Sequence, residues 1–290
     1  MRTRFYDAMS DLLVHDPQAA LVLADIGPTR LLAGTSTGDR VVNVGIREQA
    51  MIGVAAGLAL AGLRPVVHTY APFLVERPFE QIKLDLSHQD LGAVLVSIGA
   101  SYDASVEGRT HQSPGDVALL STLPDWCVHT PGHPDEVEAV TRRAVAARDR
   151  QYIRLSTQQN PDPFPADGSV HAVRQGTGTL LLAIGPMLAP ALAATSDLEV
   201  GVAYTSTPLP LDGAGLRRLA DGYDRLLVLE PFLEGTLAYA VSTALRGSPL
   251  RIEHLGVGHA ERRHYGTPAD HARLHGLDAA GIRRRLRSSS

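Results

Sequence analysis

The sequence of 290 residues holds one cysteine and one tryptophan, and aromatic residues make up only 5% of it. A lone thiol, Cys127, excludes an internal disulfide and fits a reducing compartment. Within Asp125-Trp126-Cys127-Val128 it reads as a buried core thiol. Lysine is almost absent too, with Lys83 alone against a background of arginines, so the chain has no Gly-Lys-Ser/Thr phosphate loop. Schiff-base chemistry would fall to that single side chain. Charge of either sign is modest, 27 basic against 31 acidic residues for a net charge of -4, and the one dense basic run is Arg283-Arg284-Arg285-Leu286-Arg287. No stripe follows a phosphate backbone, so nucleic acid is not an expected partner. Long apolar runs are missing: 50–63 and 180–194 fall short of a bilayer crossing, and Gly185-Pro186 and Pro190 interrupt the second. Neither a membrane span nor a signal peptide is indicated, and the expectation is a cytoplasmic protein.

What is present is a steady alternation of short apolar runs with amphipathic segments. Strands are predicted over 20–24, 41–44, 65–70, 93–98, 126–130 and 152–155, with helices over 5–14, from Met51 onward, 73–87, 117–121 and 134–147. After the polar, proline-rich stretch Gln158-Gln159-Asn160-Pro161-Asp162-Pro163-Phe164-Pro165 the alternation resumes, with strands over 179–184, 199–204, 225–229 and 250–255. The expected fold class is therefore α/β, two doubly wound and mostly parallel sheets, with a first domain over 1–160, a linker over 161–173 and a second domain over 174–290. Asp278 is a predicted N-cap for a final helix whose arginines fall where the dipole favours cations.

The chain centres on Val41-Val42-Asn43-Val44-Gly45-Ile46-Arg47-Glu48-Gln49, a buried strand, a tight turn and the start of an apolar helix. Glu48 is placed among apolar neighbours, and a carboxyl desolvated without a cation favours its protonated form, suited to sharing a proton with a ligand nitrogen. The alternative is a helix-start Glu that complements the dipole. In a parallel sheet ligands bind beyond the carboxyl ends of the strands, which is where Asp25, Glu48, Tyr70 and the Ser/Gly-rich loop 99–115 would gather.

Several motifs in order give the chain a family likeness. Asp25 after its strand, Gly45-Ile46-Arg47-Glu48-Gln49-Ala50-Met51, Thr69-Tyr70-Ala71-Pro72-Phe73, Arg77-Pro78-Phe79-Glu80-Gln81-Ile82, Gly108-Arg109-Thr110-His111-Gln112 and Pro208-Leu209-Pro210-Leu211-Asp212 together resemble the thiamine-diphosphate-dependent transketolase family. The match spans a pyrimidine-binding domain followed by a C-terminal domain, as in the small subunit of a split transketolase. The resemblance implies that Glu48 bonds N1′ of the cofactor's aminopyrimidine and favours the imino tautomer, so that the cofactor becomes its own base. It implies that Phe73 stacks on the pyrimidine and that Tyr70 lines the same pocket; core packing is the alternative for both. His111 matches a histidine that faces the substrate carbonyl, Asp25 a carboxylate near the thiazolium, and Glu107 stands where sugar transketolases hold a donor hydroxyl with Asp.

Departures from the family pattern narrow the expectation. The phosphate-binding His early in the long loop is Gly99 here, and the Arg of an S-R-Q-N motif is replaced in Ser156-Thr157-Gln158-Gln159-Asn160. The substrate then lacks the usual terminal phosphate, or its phosphate is held elsewhere, with Arg109 and Arg154 as candidates beside the alternative of ordinary salt bridges. No G-D-G occurs, so the diphosphate and its Mg2+ or Ca2+ would be held mainly by a larger partner subunit, in a tetramer of two large and two small chains. The implied reaction is transfer of a two-carbon ketol unit from a ketose-type donor to an aldehyde acceptor, both small carbonyl compounds. Two alternatives stay open. One is a pyruvate-decarboxylating subunit, similar to deoxyxylulose phosphate synthase or an oxo-acid dehydrogenase beta chain, and the other is a non-catalytic scaffold.

Overall fold

The structure, a computed structural model, describes residues 1–27 and 38–288; most of the Gly/Thr/Ser loop expected after Asp25 lies outside the described residues. β1 (Ala19–Leu23) is buried along its whole length, as an apolar strand covered on both faces must be. Around it lie β2 (Val41–Asn43), β3 (Arg64–Tyr70), β4 (Val94–Ile98), β5 (Trp126–His129) and β6 (Arg150–Arg154), all parallel, in the order β2-β1-β3-β4-β6-β5. Helices cover this sheet: α1 (Arg2–His15), α2 (Glu48–Leu60), α3 (Asp116–Leu120) and α4 (Pro134–Ala146). α1 turns Phe5, Met9 and Leu13 inward at helical spacing, and each such side chain contributes about 1.5–3 kcal/mol by leaving water.

A second sheet is built from β7 (His171–Arg174), β8 (Thr179–Ile184), β9 (Gly201–Thr205), β10 (Arg225–Leu233) and β11 (Arg251–Val257), in the order β11-β10-β8-β9-β7. It is parallel apart from β7, which pairs antiparallel with β9. Its helices are α5 (Leu188–Ala194), α6 (Gly213–Ala220), α7 (Ala238–Ala244), α8 (Pro268–His275) and α9 (Ala279–Arg287). Asp278 caps α9 as expected, its carboxylate accepting from Gly281 N–H at 2.8 Å.

Three elements depart from the sequence reading. The single helix expected over 73–87 is instead a π turn, Pro72–Glu76, a short α turn, Phe79–Gln81, and a second π stretch, Ile82–His88. Pro78 brings no N–H to the ladder, and Arg77 N–H reaches back five residues to Pro72 O at 3.0 Å. β7 and α8 were not expected, and β7 begins inside the stretch read as linker. That stretch is not a free tether, since Phe164 N–H donates to Glu136 Oε1 at 2.9 Å and Val170 N–H to Asp212 Oδ2 at 3.2 Å.

The two sheets share one core, in which Met51, Val117 and Val128 pack with Leu180, Leu226 and Phe232. Main-chain bonds stitch them as well, Val128 N–H to Leu209 O at 2.7 Å and Leu233 N–H to Pro114 O at 2.8 Å. At the junction lies a buried polar network. Asp116, fully buried, accepts at Oδ2 from Arg154 Nε at 2.7 Å and from the Tyr152 hydroxyl at 2.6 Å. Arg154 also donates from Nη2 to Ser101 Oγ at 2.7 Å and from Nη1 to Pro231 O of β10 at 3.3 Å. Cys127 is half-buried beside His129, and burial pushes its thiol up to about 11, which keeps it protonated and inert at neutral pH.

Two predictions follow from this packing. Asp116→Asn leaves the Arg154 guanidinium buried without its counter-charge and is expected to lower stability by roughly 3–5 kcal/mol, read from the urea midpoint, while Tyr152→Phe costs only about 1–2 kcal/mol. The second concerns acid. Burial holds both His68, which donates from Nδ1 to Val96 O at 2.8 Å, and His129, bonded to Gln151 Oε1 and Thr207 Oγ1, down at about 4. Their folded values lie below the unfolded 6.5, so unfolding takes up protons between these limits, and stability present above pH 6.5 is lost as pH falls towards 4. The loss at pH 5 is about 2 kcal/mol per histidine, partly offset by Glu76 and Asp103, which burial shifts upward; denaturation at pH 7 and pH 5 measures it, and His68→Gln gives a shallower dependence.

Candidate active site

From β1 the first sheet winds one way to β2 and the other way to β3 and β4, so its direction reverses between β1 and β3. The crevice beyond the carboxyl ends of those strands is where open α/β sheets hold ligands. Asp25, two residues beyond the end of β1, is exposed and sits at φ 51°, where its N–H donates to Asn43 Oδ1 at 2.9 Å. The same Asn43 oxygen accepts from Gly45 N–H at 3.0 Å. Asn43 thus clamps the ends of β1 and β2 together and fixes the turn that delivers Glu48 to the start of α2. Sequence reading treated Asn43 as part of an apolar strand; a lone amide at a strand end was the available signal.

Glu48 is 2% exposed, as its neighbours suggested, but it is not without a cation. Arg77 Nη1 donates to Glu48 Oε2 at 2.8 Å. The π turn explains the meeting. It sets Arg77 four residues after Phe73, with the guanidinium carbon 4.2 Å from the centre of the Phe73 ring. The expectation of a carboxyl desolvated alone is corrected accordingly, and Arg77, quoted only within a motif, is the residue that the sequence reading left without a role.

Tyr70, Phe73 and His111 come together from β3, the π turn and the long loop. Their rings stand edge to face, Tyr70 to His111 at 5.6 Å, Phe73 to His111 at 5.0 Å and Tyr70 to Phe73 at 6.3 Å. Glu48 adjoins this group through Arg77. Glu107 ends a 3-10 turn on the same loop and is exposed, and among the described residues no hydrogen bond, ion pair or ring contact joins Glu107 or Asp25 to the aromatic group. Arg109 faces away from it, pairing with Glu261 at 3.1 Å and donating to Gln112 O at 2.8 Å. Arg154 belongs to the buried network, so both arginines weighed as phosphate anchors are occupied by salt bridges. Glu76, beside Arg77, accepts from Ser113 Oγ at 2.8 Å; burial raises its carboxyl, with the Ser113 bond and Arg109 pulling it back.

The second sheet's domain holds the His111 loop in place. Ser105 Oγ donates to Gly266 O at 3.1 Å, and the Tyr265 ring lies so close to Gly108 that a Cβ there would meet Cε1 at 2.6 Å. Gly108 itself has φ 80° and ψ −169°, a conformation that side-chain-bearing residues do not tolerate. Chemically, the site offers a buried carboxylate that already accepts an N–H from a planar, stacked cation, with an imidazole alongside. Those are the contacts a planar nitrogen heterocycle seeks. Among the described residues no cluster of His, Cys, Asp or Glu could hold a metal ion, and no helix is long and apolar enough to cross a membrane.

Comparison with known proteins agrees with this fold. The family model described as transketolase, pyrimidine binding domain, matches residues 1–163. A protein of Rhodococcoides fascians described as an uncharacterized 33.6 kDa protein in the fasciation locus is 47% identical, covering 99% of this chain and 94% of that protein. The 1-deoxy-D-xylulose-5-phosphate synthases of Thioalkalivibrio sulfidiphilus and Thermus thermophilus are 33% and 31% identical over 84% and 97% of this chain, which spans only 39% and 47% of their length. Among solved structures a split gene transketolase, described as an inactive beta4 tetramer, superposes with a TM-score of 0.85 at 24% identity, covering 99% of this chain and 96% of that one. Transketolase from Campylobacter jejuni gives 0.77 at 17% identity, with 99% of this chain and 46% of that one covered.

Gly108→Ala is expected to destabilise by about 1–3 kcal/mol and to speed amide exchange at His111 and Gln112, whose N–H groups bond within this loop. Adding Tyr265→Ala removes the steric clash but not the backbone strain, so recovery should be partial; full recovery would show that the ring, not the dihedral, sets the conformation.

Proposed function

The chain belongs to the thiamine-diphosphate-dependent transketolase family, and from that premise we propose that it is the small subunit of a split transketolase-like enzyme, moving a two-carbon ketol unit from a ketose-type donor to an aldehyde acceptor. In this reading residues 1–160 form the pyrimidine-binding unit and 174–290 the C-terminal unit. The observation that carries it is Arg77: its guanidinium makes an N–H bond to Glu48 Oε2 and stacks on Phe73, the two contacts an aminopyrimidine would make in its place. The residues present therefore fit that end of the cofactor. When bound, thiamine diphosphate supplies a thiazolium carbon that adds to a carbonyl and takes up its electrons.

The roles of the chain's own residues follow from their positions. Glu48 holds a proton between its carboxyl and ring nitrogen N1′, in a turn fixed by Asn43, and apolar neighbours keep water from competing. Phe73 and Tyr70 orient the ring, and Arg77 has to swing aside to admit it. His111, half-buried between them, donates to or accepts from the substrate oxygen. Asp25 borders the same crevice, and Glu107 lies one residue before Gly108 on the loop that carries His111.

Completeness is a matter for a second chain. The sequence lacks G-D-G, and this chain matches nearly the whole of a split-gene transketolase chain while spanning less than half of the synthases. A larger subunit that supplies the diphosphate and metal site accounts for both. The 31–33% identity to the synthases favours one second reading, a decarboxylating transfer from pyruvate. Reconstitution with the large subunit tests the proposal. Thiazolium proton exchange should fall at least 100-fold in Glu48→Gln, and transfer from a ketol donor should proceed without carbon dioxide. Exchange near the wild-type rate would remove Glu48 from its role, and carbon dioxide release from pyruvate would move the chain to the second reading.

A further inference from the structure

Beyond the carboxyl ends of β4 and β6 a cavity of about 370 Å³ is lined by Tyr70, Gly99, Asp103, Ser156, Thr157 and Gln159, among others. Its size suits a small metabolite. Tyr70 belongs both to this wall and to the aromatic group around His111, so the cavity opens off the place where the proposed function sets the reacting carbonyl. The inference rests on that reading.

The lining holds one acidic side chain, Asp103, and one basic one, Arg2, and the Ser156 hydroxyl and Thr157 main-chain N–H are turned to the acid. Asp103 points a carboxylate into it, with Oδ2 accepting from Thr157 N–H at 2.8 Å and Oδ1 from the Ser156 hydroxyl at 3.2 Å. The main-chain N–H that a phosphate oxygen would seek is therefore already spent on the protein's own anion. At Gly99 no side chain can enter, because a Cβ would lie 2.6 Å from Tyr70 Cδ1, and position 157 is a threonine. The Arg2 guanidinium stands at the rim, exposed, with Nε given to the Tyr6 hydroxyl at 2.8 Å. Asp103 keeps unused lone pairs that can accept from a hydroxyl.

We propose that this cavity receives the end of the carbonyl substrate farthest from the reacting carbon, and that Asp103 selects an uncharged, hydroxyl-bearing chain over a phosphorylated one. Asp103 is a specificity-determining residue in this account. Burial already raises the Asp103 carboxyl, so a phosphate brought beside it meets either like charge or the cost of a further proton uptake, whereas a terminal hydroxyl gains an acceptor.

The test uses the complex with the large subunit, thiamine diphosphate and magnesium, a ketol donor, and two acceptors, D-glyceraldehyde and D-glyceraldehyde 3-phosphate. The unphosphorylated acceptor is expected to have at least a tenfold higher kcat/KM. Asp103→Asn and Asp103→Ser should each shrink that gap at least tenfold, mainly through KM of the phosphorylated acceptor. Thr157→Arg, which leaves Asp103 in place, should shrink it too and guards against misfolding of the Asp103 variants. Preference for the phosphorylated acceptor, abolished by Arg2→Ala, would overturn the inference while leaving the proposed function standing. Should no ketol donor turn over, the proposed function fails, and calorimetric titration of the same complex with inorganic phosphate still decides the inference. No binding to wild type and binding to Asp103→Asn supports it, and binding to wild type that Arg2→Ala removes overturns it.

Discussion

Everything in this molecule leans on the buried contact between Asp116 and Arg154. Their ion pair sits where the first sheet, the short helix α3, the long loop and β10 of the second sheet converge, and each of these touches it directly. Removing such charges from water is costly, and the interior tolerates it only because the Tyr152 hydroxyl, Ser101 and Pro231 O satisfy the remaining donors and acceptors. The loop that carries His111 leaves this network at Ser101 and re-enters it at Ser113, whose main chains pair with one another. A buried electrostatic knot thus sets the span within which the site loop can move.

The candidate site is an assembly of strand ends. β1 brings Asp25, the β2 turn brings Glu48, β3 brings Tyr70, and the loop after β4 brings His111. Parallel strands put all of these at one edge, which explains why residues scattered over the first 111 positions share a crevice. The second domain adds no ring to the aromatic group, yet through Tyr265, Gly266 and Glu261 it decides where the loop rests. Folding of the C-terminal part is in this sense part of building the N-terminal site.

Much of this was legible in the residues because parallel strands and their helices are written in runs of consecutive apolar positions. The strand over 179–184, the N-cap at Asp278 and the buried setting of Glu48 needed only local information. What escaped depended on distant partners or on unusual helical pitch. β7 is polar and half-exposed and pairs antiparallel, so its pattern never stood out from the proline-rich stretch before it. The first π turn, which ends at Arg77 just before Pro78, brings Arg77 over Phe73 and onto Glu48. α8 is the fair reproach: Thr267-Pro268-Ala269-Asp270 with Gly276 carries a capping box, a proline in the first turn and a left-handed stop, all readable beforehand. Asp103 gave no signal, since only the fold sets it against positions 156 and 157.

The Arg77 contact also bears on the chain with nothing bound. Without it Glu48 would be a carboxylate buried with no counter-charge, which invites local unfolding. By setting Arg77 against Glu48, the fold satisfies the buried carboxylate from within the chain itself. In the proposed function an aminopyrimidine would take the place of that guanidinium, so the filled and empty forms would differ by one arginine changing sides.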